Sequence, residues 1–203
     1  MLEAGCKCTL EVDEVLDYWF KPWEQSLAAA PEKLRFWFSA SVDEDQEIRA
    51  KFGEISRMAS EGYLDHWAER GPRATLALIL LLDQVPRNIH RGTPEAFASD
   101  AKAQELVKNA LEKGEDRQLN PIERVFFYMP LEHAEDLPLQ NLSVKLFESL
   151  VQTLPLEQKA QFETFVTYAE KHRAVIEQFG RFPTRNAALG RPSTPAEIAF
   201  LTK

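Results

Sequence analysis

Two Arg-Asn pairs in this 203-residue chain, Arg87-Asn88 and Arg185-Asn186, open stretches that echo one another. Each is followed by a second arginine (Arg91, Arg191) and then by Thr-Pro (Thr93-Pro94, Thr194-Pro195). Arg181 joins the second stretch, and no acidic residue falls between Gln178 and Ala196. In a chain of formal net charge -8 this is a local cationic island. The planar guanidinium fork suits bidentate contact with carboxylate or phosphate. Free amides at helix starts after Thr93 and Thr194 would add partial positive charge. Two readings stand. In one, Arg87, Asn88, Arg91, Arg181, Arg185, Asn186 and Arg191 form a pocket for an acidic small molecule or a peptide carboxylate. In the other they are an internal network, with arginines on helix-end carbonyls or paired with Asp83, Asp100, Glu132 or Glu135, and asparagines closing turns.

A second group, Glu132-His133-Ala134-Glu135, sets two carboxylates beside an imidazole. That combination serves acid–base work, or metal binding where further ligands converge. No Glu-x-x-His pair, His-Glu-x-x-His or Gly-rich phosphate loop occurs, so the sequence calls for no metal and no cofactor. His172 lies on an apolar helical stripe between Ala169 and Ile176, where a histidine is either a satisfied core residue or part of a pocket floor. His66 and His90 read as exposed or capping. The hydroxyls of Thr93, Ser193 and Thr194 sit in no nucleophile elbow, and helix capping accounts for them.

These side chains need a scaffold, and the composition describes a soluble one: 44% apolar, 10% aromatic, in a length suited to one domain with a real core. The acidic balance argues against a nucleic-acid footprint and against docking on anionic lipid. The apolar run Leu76 to Leu82 is far shorter than the ~20 residues of a membrane span. Ala4-Gly5-Cys6 resembles a lipoprotein cleavage site but lacks the basic start and apolar core before it. Cys6 and Cys8, too close for an ordinary disulfide and too few for zinc, read as reduced thiols of a cytoplasmic protein.

Helical punctuation runs throughout. Apolar spacing predicts helices over Val12–Phe20 and Asp43–Ala59, the latter stopped by Gly62, and the aromatics of Pro31–Phe38 read as a cap packed onto the body. Arg73–Gln84 is apolar on all sides, hence a buried central helix, with Pro86 expected to end it. Thr93-Pro94 is expected to start a helix reaching Lys113. Asn120-Pro121-Ile122-Glu123 reads as a capping box opening a helix that stops at Pro130. Further helices are expected around Leu142–Leu150 and over Glu157–Phe179, closed by Gly180, with a short last one after Thr194. The expectation is an all-α antiparallel helical array over residues 1–203, a single domain with a loose tail over residues 1–10 and no 34-residue repeat signature.

The stretches Leu81 to Phe97, Glu132 to Glu135 and Phe179 to Thr194, with Val15 to Phe20 as an opening motif, resemble a bacterial family labelled a domain of unknown function (number 924). The likeness spans about Val15 to Leu201. It implies an all-helical fold grouped with tetratricopeptide-repeat-like proteins and carries over no catalytic residue. Ala134, Thr184 and Lys21 depart from its pattern, which often has serine, histidine and glycine there. Without a histidine at Thr184, chemistry at that position is disfavoured. The functional expectation is a binding module for an acidic small molecule or peptide terminus. The alternatives are a hydrolase or transferase using His133 or His172 with Glu132 or Glu135, and a scaffold whose polar cluster serves stability.

Overall fold

The computed structural model describes residues 12–20, 31–38 and 41–202, with side chains from residue 35 onward in the second of these segments. The expected tail over residues 1–10 with Cys6 and Cys8, and the Lys21-Pro22-Trp23 loop, lie outside the described residues.

Helices begin where side chains can replace missing backbone bonds. Ser41 and Glu44 form a reciprocal capping box, as do Asn120 with Glu123 and Thr194 with Glu197. They open α3 (Val42–Ser60), α6 (Pro121–Glu132) and α9 (Pro195–Leu201). Asp136 caps α7 (Leu137–Thr153) by accepting from the Leu139 amide. Gly180 ends α8 (Leu156–Phe179) at φ 69°, a left-handed conformation that costs glycine no Cβ clash. α1 (Val12–Phe20), α2 (Pro31–Phe38), α4 (Pro72–Ile89) and α5 (Asp100–Glu112) complete an all-α array, with no strand among the described residues.

α4 is the hub. It packs against α1, α3, α5 and α6, and every side chain from Leu76 to Leu82 is fully buried. The α6–α7–α8 layer closes the far side. An aromatic cluster ties α1 and α2 to α6: the Phe126 ring lies 4.9 Å from Trp37, 5.5 Å from Phe20 and 6.0 Å from Trp19. Trp37 also donates its indole N–H to the Trp19 carbonyl at 2.9 Å.

Three boundaries differ from the sequence expectation. Pro86 does not end α4, which runs on to Ile89. Proline deprives the Leu82 carbonyl of its partner and disturbs the turn before it, at about 3 kcal/mol in a helix interior. Here it falls in the last turn, is itself buried, and neighbouring carbonyls are taken by side chains. Arg87 Nη1 donates to Asp83 O at 2.8 Å and Asn88 Nδ2 to Gln84 O at 3.0 Å. Pro130 likewise sits inside α6, and Gln140 Nε2 donates to Glu132 O and Ala134 O beyond it. Thr93 starts no long helix. A single 3-10 turn over Pro94–Phe97 intervenes before α5, and the Thr93 hydroxyl donates back to His90 O instead of capping.

Candidate functional site

The continuation of α4 past Pro86 builds one wall of a site. Side chains four apart on a helix share a face. Asp83 and Arg87, Gln84 and Asn88 therefore form parallel columns, with Arg91 just beyond the helix end. Facing them are Met129, Glu132 and His133 from the end of α6, and Gln161, Thr164, Phe165, Tyr168 and His172 along one face of α8. Arg35, Trp37 and Phe38 of α2 complete the enclosure, a cavity of about 680 Å³. That lies within the ~300–1,000 Å³ typical of small-molecule sites.

Two imidazoles define its chemistry. His133 Nδ1 lies 2.8 Å from Asp83 Oδ1, and His172 Nδ1 lies 2.9 Å from Glu132 Oε1 and 2.8 Å from the Tyr168 carbonyl. Acceptors alone surround each Nδ1, so each carries its proton there and leaves Nε2 for other contacts. Neither Nε2 has a hydrogen-bond partner among the described residues, and the ring centroids are 6.5 Å apart. Asp83 is wholly buried. Burial opposes its charge, but Arg87 and His133 keep its carboxyl well below the usual carboxylate range. Gln84 Nε2 donates to the second Asp83 oxygen.

The two histidines are driven in opposite directions. Burial, reinforced by the Arg87 guanidinium, lowers His133 despite the pull of Asp83. Burial also opposes the charge on His172, but the Glu132 hydrogen bond and charge, with the Tyr168 carbonyl, outweigh it and raise the group. Neutral His133 beside protonated His172 is thus the favoured state around the ordinary imidazole value of about 6.5. Replacing Glu132 by glutamine removes the charge that holds the His172 proton. The His172 titration followed by its ring-proton NMR shift should then fall to or below the ordinary imidazole value of about 6.5, while His133 moves little.

The two echoing stretches do meet, through Asp100. Arg87 grips its carboxylate at 2.8 and 2.9 Å, and Arg185 adds a bond at 3.2 Å. Arg185 is sandwiched between Phe97 and Phe182, at 4.7 and 4.5 Å from the ring centres, and donates to the His133 carbonyl at 2.8 Å. The expected common hollow lined by every arginine is corrected, however. Of the residues named for it, Arg87, Asn88 and Arg91 line the cavity, and Arg181, Arg185, Asn186 and Arg191 do not.

The latter are engaged by the protein itself. Arg181 holds Glu197 at 2.7 and 2.9 Å, and Arg191 holds Glu135 at 2.6 and 2.8 Å. Asn186 accepts from Arg191 and donates to Ser193. Arg91 pairs with Asp45 at 3.0 Å. Glu135 also accepts the Phe182 amide and touches neither histidine, which removes it as an acid–base partner. The helix-start amides drop out too, because Thr93 opens only a 3-10 turn and the amide after Thr194 that a cap would satisfy is taken by its own hydroxyl.

Asp83 as the partner of His133 was missed because its immediate neighbours, Glu132 and Glu135, compete for the role on paper. Gln84, Met129 and Tyr168 carry no signal beyond ordinary helix positions. Trp37 and Phe38 read only as packing aromatics, and Arg35 carries no signal of its own. No cluster of three or more metal-ligating side chains, and no helix long and apolar enough to cross a membrane, occurs among the described residues.

No curated protein matches this chain. A solved structure of a protein of unknown function from Agrobacterium tumefaciens is similar at 35% identity and a TM-score of 0.77, covering 94% of this chain and 96% of that one. Residues 15–203 match the family described as "Bacterial protein of unknown function (DUF924)", and with that span this chain belongs to the family.

Proposed function

We propose that the cavity between α2, α4, α6 and α8 is the active site of a small-molecule hydrolase, in which His133 is the general base and His172 the general acid. The observation carrying this reading is the pair of carboxylate-held imidazoles 6.5 Å apart on one cavity wall, with Nε2 of each unpartnered among the described residues. In this reading a water and the reacting group occupy the cavity beside the two Nε2 atoms. His133 Nε2 takes a proton from the water as its oxygen bonds to the electrophilic centre, and His172 Nε2 gives its proton to the departing group. One proton returning from His133 to His172 through solvent restores the start.

Binding without chemistry, the sequence's first expectation, is less well supported, because the guanidiniums meant to clamp the ligand are largely committed to carboxylates. The side-by-side packing of α3 with α4 and α7 with α8 supports the tetratricopeptide-like grouping. The closely spaced cysteines of the sequence support a cytoplasmic setting.

The test is hydrolysis of para-nitrophenyl esters of short and medium acyl chains. His133→Asn and His172→Asn should each lower kcat/KM by about 10²–10⁴-fold, the usual worth of a positioned proton-transfer group. The base must be neutral and the acid protonated. Activity therefore rises as pH climbs through the depressed His133 value, holds across about pH 6.5, and falls as pH climbs through the raised His172 value. No ester turned over above the buffer rate, or both variants at the wild-type rate, would remove the assignment.

A further inference from the structure

We propose that the ligand of this cavity is an amphipathic anion, an aromatic or bulky aliphatic body bearing one carboxylate or similar oxyanion, oriented with its charge toward α4. The inference rests on the hydrolase reading for the reaction but not for the binding. The cavity is two-sided. Phe165, Tyr168, Met129, Trp37 and Phe38 line the side made by α2, α6 and α8, and Tyr168 and Phe38 remain 53% and 50% exposed although large and apolar. Exposed rings beside a concave apolar wall are poorly explained by folding alone and suit a ligand that covers them.

The opposite side presents donors that the protein has not used up. Arg91 spends Nε and Nη2 on Asp45 and Asn88, and its Nη1 has no partner among the described residues. Arg87 spends both Nη groups on Asp83 and Asp100, leaving Nε. His172, raised by Glu132, offers Nε2–H. Three cationic groups, each holding at least one spare donor, therefore border the same hollow. Their carboxylate partners fix their positions in advance, so binding need not order them. The acceptors bordering the cavity include the Gln84 amide oxygen, the second Glu132 oxygen and the unprotonated His133 Nε2, which suit water or a hydroxyl.

The probes are anilinonaphthalene sulfonate, an aryl anion that fluoresces when shielded from water, and its neutral counterpart N-phenylnaphthylamine. The full chain should bind one anion per molecule. Arg91→Ala removes only an exposed pair worth little to folding. It should weaken the anion about fivefold, as for loss of one solvent-accessible charge contact, reduce its salt dependence, and leave the neutral probe within twofold. Tyr168→Ala should weaken both.

Equal anion affinity in wild type and Arg91→Ala, or no binding of either probe, overturns the proposal. Ester hydrolysis is measured on the same samples. Hydrolysis without anion binding sinks the ligand class alone. Anion binding that depends on Arg91, without hydrolysis, upholds the ligand class and sinks the acid–base reading alone.

Discussion

Asp83→Ala should unfold this protein about 6–20 °C earlier than wild type in a calorimetric melt. Asp83 is wholly buried and both its oxygens are occupied, one by His133 and Arg87 and the other by Gln84. Removing it strands the His133 N–H and leaves Arg87 with Asp100 as its one carboxylate partner. Breaking a buried charge pair by deleting one partner costs about 3–5 kcal/mol. For a chain of this size each kcal/mol moves the midpoint by about 2–4 °C. Asp83→Asn retains shape and hydrogen bonding while deleting the charge, so it should be milder to the fold. It also withdraws the main attraction holding a proton on His133, whose titration should move further down. A melt of Asp83→Ala within about 2 °C of wild type would show that this carboxylate does not organise the site.

Phe126→Ala should cost about 3–5 kcal/mol, the usual loss for a truncated core phenylalanine, read as a lower urea midpoint. The ring is fully buried and touches Trp19, Phe20, Trp37 and Phe38, so it is the post on which both α1 and α2 rest. The effect should therefore reach the cavity, because α2 brings Trp37 and Phe38 to its wall. Tryptophan emission should shift to the red under native conditions and anilinonaphthalene sulfonate should bind more weakly. Phe127→Ala serves as the comparison: Phe127 is equally buried, but its ring packs on Tyr128 away from α2. A matching loss of probe affinity in both variants would mean that α2 is not held through Phe126.

Helix starts and stops were legible because they are local. Asn120 with Glu123 and Thr194 with Glu197 close their capping boxes across three residues, and Gly180 needs only its own φ. The all-α class, the buried α4 and the polar character of the two echoing stretches follow from spacing that any isolated segment would show. The prolines misled for the same reason. Their local cost is real, but buried packing and side chains from Arg87, Asn88 and Gln140 outweigh it, and those belong to the folded whole.

Which cation meets which carboxylate was decided by tertiary structure. His133 passes over its neighbours Glu132 and Glu135 for Asp83, 50 residues away, and Arg185 reaches Asp100 across 85. Periodicity tells which face of a helix is apolar but not which other helix it will meet. A charged side chain at a face's edge therefore has several partners open to it until the helices dock. Tertiary packing turned a predicted clamp of arginines largely into a set of ion pairs. It also brought two imidazoles, each a candidate in the sequence but 39 residues apart there, to the wall of one hollow.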